Sequence, residues 1–134
     1  MTPKADPPLK KILVLEDDRA IREMVVAVLT EAGYAVAVAV NGAQGLTRCR
    51  EFAPDVIVLD LMMPEVDGFE FLERQPREGC AAPVVVMSAV HHRSMLPANA
   101  AVSAFIEKPF AIDRFVDLIA THARRTDGDT RPRN

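Results

Sequence analysis

Asp60, Glu16, Asp17, Ser88 and Lys108 each stand at the end of an apolar run, and together they are the side chains best suited to handle phosphate and a hard cation. Asp60 closes Val56-Ile57-Val58-Leu59, Glu16 and Asp17 follow Ile12-Leu13-Val14-Leu15, Ser88 follows Val84-Val85-Val86-Met87, and Lys108 follows Phe105-Ile106-Glu107. A carboxylate is a competent covalent acceptor of a phosphoryl group, a transfer that needs mainly positioning and charge neutralisation. Three carboxylates brought close repel one another, and a divalent cation relieves them. Magnesium suits, because it takes oxygen ligands and commonly shares carboxylates with a phosphate. A lysine ammonium and a serine hydroxyl are fitting partners for phosphoryl oxygens. Taken alone, Asp60 reads as a turn residue capping a backbone amide, and Asp18 reads better as a helix N-cap than as a ligand. The combination carries the chemistry.

The elements that must position these groups alternate. The runs at 12–15, 56–59 and 84–87 are short, apolar and mostly β-branched, the pattern of strands buried on both faces of a parallel sheet. Tyr34–Val40 adds an alanine and valine strand, and Phe105–Glu107 a last short one. Between them, Ile21, Met24, Val25, Val28, Leu29 and Ala32 repeat at helical spacing up to Gly33, a C-terminal glycine. A helix is expected over 43–52 after the Asn41-Gly42 turn, ending at Pro54. Another begins near Asp67, where Asp67 and Glu70 form an acidic capping box, and dissolves at 75–79. The final helix shows Ile112, Phe115, Val116, Leu118 and Ile119 on its apolar side and runs to about Arg125. Pro64 biases Met63 toward extended backbone, so Asp60 should sit at the mouth of a stiff loop. Five alternations predict an α/β fold with a five-stranded parallel doubly wound sheet, flavodoxin-like order 2-1-3-4-5, and helices on both faces. In that order the first and third strands are neighbours, and their acids converge beyond the carboxyl ends of the strands.

The chain has 134 residues, enough for one domain with a sizeable core. The organisation expected is a flexible lead-in over 1–9, one domain over 10–125 and a flexible tail over 126–134. A net charge of −3 offers no basic stripe, so no nucleic-acid partner is expected. No apolar run reaches the length of a membrane span and the N-terminus lacks a signal-peptide core, so no membrane partner and a cytoplasmic location are expected. Cys49 and Cys80 make neither a disulfide framework nor a zinc motif and read as inert thiols in a reducing compartment. His91 and His92 read as a solvated loop, and His122 as exposed or complementing a helix dipole.

Ile-Leu-Val-Leu-Glu-Asp-Asp, Asp-Leu-Met-Met-Pro-Glu-Val-Asp-Gly, Met-Ser-Ala and Lys-Pro-Phe, taken together over about residues 10 to 124, resemble the receiver domains of two-component response regulators. The resemblance implies Asp60 as phosphoacceptor, Glu16 and Asp17 as the magnesium-holding acids, and a metal contact from the backbone carbonyl of Met62. It also implies Ser88 as the switch hydroxyl, Lys108 as the phosphate-binding lysine and Phe105 as the switch aromatic. The function it implies is a phosphoacceptor regulator rather than an enzyme, assisting its own transfer and dephosphorylation. Its partner would be a sensor histidine kinase or a histidine phosphotransfer protein.

The stretch between Ser88 and Lys108 departs from the family: it is short, and Pro97 stands where a helix should be running. The helix expected there is a turn or two shorter than its counterparts. Nothing resembling an output domain follows the final helix, so a stand-alone receiver is expected, with a receiver excised from a larger regulator as the alternative. A receiver-like binding module that never carries phosphate would have no need of mutually repelling acids. A phosphate-ester hydrolase of the haloacid-dehalogenase kind would want a second aspartate two places after Asp60, where Met62 stands.

Overall fold

The computed structural model describes residues 8–63, 67–89, 96 and 102–128. Strands β1 (Lys11–Leu15), β2 (Ala35–Ala39), β3 (Val56–Leu59), β4 (Val84–Ser88) and β5 (Val102–Glu107) form one parallel sheet in the order β2-β1-β3-β4-β5. The helices are α1 (Arg19–Glu31), α2 (Gly42–Phe52), α3 (Gly68–Arg74) and α4 (Ile112–Gly128). The doubly wound sheet with order 2-1-3-4-5 is therefore as expected.

Continuous apolar strands are explained by what covers each face. Ile12, Val14, Val56, Val58, Val85 and Met87 pack with Val25 and Leu29 of α1 and Phe115 and Ile119 of α4. Their strand neighbours Leu13, Leu15, Ile57, Leu59, Val84 and Val86 point the other way, onto Leu46 of α2 and Phe71 and Leu72 of α3. Because alternate residues face opposite layers, each layer buries its own set, and each fully buried aliphatic or aromatic side chain is worth about 1.5–3 kcal/mol. Gly45 lets α2 approach closely: a Cβ there would collide with Leu15 and lie 3.2 Å from Phe71.

The helix ends follow the residues that cap them. Asp18 accepts the amide of Ile21 at 3.0 Å and Asn41 that of Gln44 at 2.8 Å. Gly33 leaves α1 with φ +101°, which a residue with a Cβ adopts only at a cost. Asp67 accepts the amide of Glu70 at 2.9 Å, but the Glu70 carboxylate lies forward, 3.5 Å from Arg74.

Several expectations need correction. After Arg74 the chain does not dissolve; Gln75–Glu78 continue as a 3-10 turn, because Pro76 is tolerated in its first turn. β2 is shorter than 34–40 and β5 longer than 105–107, the latter extended by Val102-Ser103-Ala104 through a register shift against β4 between Val84 and Val85. Ile112 is 50% exposed, since it opens α4 before the helix reaches the sheet. His122 is buried rather than exposed, because it continues the inward stripe of Phe115, Ile119 and Ala123. Cys49 and Cys80 are not separate inert thiols; they form a disulfide with Cα atoms 5.7 Å apart. Their separation of 31 positions held no spacing signal, and the packing of α2 against α3 and the 3-10 turn brings them together. Pro64, His91, His92 and the shortened helix expected around Pro97 lie outside the described residues.

Candidate functional site

The register of β1 against β3 builds the site. Leu15 pairs with Leu59, so the next residues, Glu16 and Asp60, leave adjacent strands side by side. The amide of Asp60 donates to the carbonyl of Leu15 at 3.0 Å, and that of Glu16 to the carbonyl of Ala39 at 3.1 Å, carrying the ladder to the rim. Carboxylate oxygens of Glu16, Asp17 and Asp60 all lie within 4.8 Å of one another. Glu16 is fully buried, Asp60 is 6% exposed, and Asp17 is open to solvent.

Lys108 reaches the same acids from β5. Its Nζ lies 3.0 Å from Oε1 of Glu16 and 3.7 Å from Oδ2 of Asp60. Its backbone amide donates to the carbonyl of Ser88 at 2.8 Å, after Ser88 has paired in register with Glu107. That places Ser88, also buried, at the end of the strand next to β3. The Lys108–Pro109 peptide is cis.

The loop after Asp60 is anchored by alternation. Leu61 and Met63 are buried while Met62, between them, is 57% exposed. The amide of Met62 donates to Oδ1 of Asp60 at 3.3 Å, so the carboxylate is held between this amide and Lys108. The N-terminus of α3 closes the loop from below: the amide of Gly68 donates to the carbonyl of Leu61 at 2.9 Å. A Cβ on Gly68 would lie 2.7 Å from the Asp60 carbonyl oxygen and 2.9 Å from that of Leu61, so only glycine permits this approach. Phe105 is half-buried on β5, packed against the α2 and α3 side of the sheet.

Electrostatically the site is short of positive charge. Burial, then the nearby Asp60 carboxylate, push the Glu16 carboxyl up to about 7, with a hydrogen bond between the two carboxyls adding to the rise; Lys108 and the Asp18 amide oppose it. Three acids gather here, and the Lys108 ammonium lies within contact distance of two of them, Glu16 at 3.0 Å and Asp60 at 3.7 Å. Hard oxygen donors, one of them open to water, are the set that magnesium accepts while keeping part of its hydration shell.

Sequence reasoning brought Glu16, Asp17, Asp60, Ser88 and Lys108 to one rim, but it missed two residues that shape it. Arg22 lies off the apolar stripe of α1, and its Nη1 donates to the carbonyls of Glu16 at 3.1 Å and Asp17 at 3.2 Å. An arginine one turn into the helix after an acidic run is the available signal. Gly68 follows Asp67 at the start of α3, and its close approach to the Asp60 loop needed the third dimension.

Residues 12–120 match the model of the response regulator receiver domain family. The response regulator MprA of Mycobacterium sp. (strain KMS) is 35% identical over 124 residues, 91% of this chain and 54% of that protein. The DNA-binding dual master transcriptional regulator RpaA of Synechocystis sp. is 33% identical over 123 residues, covering 89% of this chain and 51% of RpaA. The chain thus spans about half the length of these curated relatives. RpaA is a DNA-binding regulator by name, so the charge argument against nucleic acid speaks for these 134 residues alone. Among solved structures, the CheY-like receiver domain protein of Methanospirillum hungatei JF-1 superposes with a TM-score of 0.79 at 26% identity, over 90% of this chain and 98% of that one. A five-stranded sheet of order 2-1-3-4-5, acids gathered at its switch point and sequence agreement along nearly the whole domain point the same way: the chain belongs to the response regulator receiver domain family.

Proposed function

We propose that this receiver is a phosphoacceptor in a two-component relay, with Asp60 taking a phosphoryl group from a phosphohistidine. The observation that carries the reading is the setting of Asp60: a buried carboxylate at the switch point, 3.7 Å from Lys108 and within 4.8 Å of two further acids.

In the transfer, a carboxylate oxygen of Asp60 forms a bond to phosphorus as the phosphorus–nitrogen bond to the donor imidazole breaks, and the released ring nitrogen takes up a proton. Glu16, Asp17, Asp60 and the backbone carbonyl of Met62 are the groups to hold magnesium, which when bound neutralises charge on the phosphoryl oxygens. Lys108 sits where its ammonium can pass from Glu16 to a phosphoryl oxygen. The Met62 amide fixes the orientation of the acceptor carboxylate, and a water reaching the same phosphorus returns the protein to its starting state. Ser88 supplies a hydroxyl to the phosphoryl group, and its inward movement lets Phe105 turn toward the vacated space, a local charge change that biases a two-state element.

The partners of this reading are a sensor histidine kinase or a histidine phosphotransfer protein upstream and a protein contact downstream, in the cytoplasm. No helix of the described residues is long and apolar enough to cross a membrane. Incubation with magnesium and a small acyl phosphate should add the mass of one phosphoryl group to the wild type and none to Asp60→Asn. A wild type that stays unmodified would leave a receiver-like binding module in place of a phosphoacceptor.

A further inference from the structure

We infer that Cys49 and Cys80 are a reversible dithiol–disulfide pair, a redox-responsive crosslink that ties together the two ends of the segment carrying Asp60. Cys49 lies in the last turns of α2, and Cys80 follows the 3-10 turn, where Gly79 reverses the chain at φ +82°. Everything between them, β3, the Asp60 loop and α3, is enclosed when the bond closes.

Three observations support a bond that opens and closes. The Cα separation of 5.7 Å is what a disulfide requires without backbone movement. The fold does not need the bond, because the sheet is covered on both faces and each cysteine is buried in the apolar cluster with Leu46, Ile57 and Phe71, where a thiol packs as a small hydrophobe. Finally, both cysteines line a cavity of about 450 Å³, together with Arg50, Asp55, Gly79 and Pro83, large enough to admit a small disulfide.

Cys80 is also held in place independently of its sulfur. Its amide donates to the carbonyl of Gln75 at 3.2 Å, and the side-chain amide of Gln75 donates to the carbonyl of Ala82 at 2.8 Å. Reduction therefore leaves the two thiols facing each other, ready to close again. The oxidant is a low-molecular-mass disulfide. One cysteine thiolate attacks a sulfur of that molecule and expels its first thiol, and the second cysteine then displaces the other. One protein S–S bond forms, one small-molecule S–S bond is lost, and two electrons pass to the two released thiols.

The test needs no assumption about Asp60. The full chain is reduced with dithiothreitol, divided, and one part is treated with 2-hydroxyethyl disulfide; both are denatured, alkylated and weighed intact. Reduced protein should carry two alkyl groups and oxidised protein none, and dithiothreitol added to the native oxidised protein should restore both. Closing a loop of this length should raise Tm on the order of 10 °C, a shift that Cys49→Ser and Cys80→Ser lose. Two alkylatable thiols after oxidation, stable mixed disulfides on both cysteines, or a bond that dithiothreitol opens only after unfolding would each overturn the inference. Because the mass readout uses the wild type, it decides the matter even if the serine variants fail to fold.

Discussion

A carboxyl group buried against a second carboxyl holds its proton to higher pH than a free one, and Glu16 does so here. Its ordinary value of 4.5 rises to about 7 because burial and the Asp60 charge outweigh Lys108. In the folded protein without metal, Glu16 therefore keeps a proton between about pH 4.5 and 7 that the unfolded chain has released. The unfolded state binds fewer protons in that window, so stability falls as pH rises through it and levels off above about 7. In chelator, Tm should drop between these limits, and Glu16→Gln should flatten that part of the profile. An unchanged slope in the variant would assign the effect to another group. The motif residues were legible one by one because each sits at the end of an apolar run. Arg22 was harder to find, since its contact is with backbone carbonyls six and five residues earlier and the one cue is its place a turn into the helix after an acidic run.

Among the elements, α3 and the Asp60 loop fit closely. With no Cβ on Gly68, the helix start hydrogen-bonds directly to the carbonyl of Leu61 beside Asp60. Gly68→Ala should force backbone atoms apart at a cost of about 1–3 kcal/mol. It should also weaken acceptance of phosphoryl groups more than it lowers Tm, because the displaced atoms belong to Asp60 and Leu61. Urea unfolding beside the acyl phosphate assay separates the two, and a stability loss with phosphoryl uptake untouched would mean the loop adjusts freely. Element type was readable from hydrophobic period, and α1 began and ended where Asp18 and Gly33 indicated. Ends of strands were less so. Val102-Ser103-Ala104 lacks an apolar run, and it joins β5 only because β4 offers a ladder on which a register shift can be absorbed.

At the scale of the whole molecule, the sheet order follows from strand alternation and explains why distant residues meet. The strands that lead into Glu16 and Asp60 are neighbours although 44 positions separate those residues, and Lys108 arrives from the far edge of the sheet. The helix layer behind this arrangement is apolar: Phe115 is fully buried and its ring stacks on Phe110 at 5.1 Å between centroids. Phe115→Ala should cost about 3–5 kcal/mol in urea unfolding, and a loss below 1 kcal/mol would mean α4 is not part of the core. The pairing of Cys49 with Cys80 and the inward turn of His122 were hidden from the sequence for one reason. Both depend on which helix face meets which neighbour, and two cysteines or a lone histidine carry no period of their own.

The claim on which the rest depends is that the gathered acids serve one acceptor. Treating the magnesium- and acyl-phosphate-loaded protein with borohydride converts an acyl-phosphorylated aspartate to homoserine, and peptide sequencing by mass then locates it. One reduced residue is expected, at position 60, and none when magnesium is chelated before the acyl phosphate is added. Reduction at Glu16 or Asp17 instead, or equal labelling with and without magnesium, would contradict it.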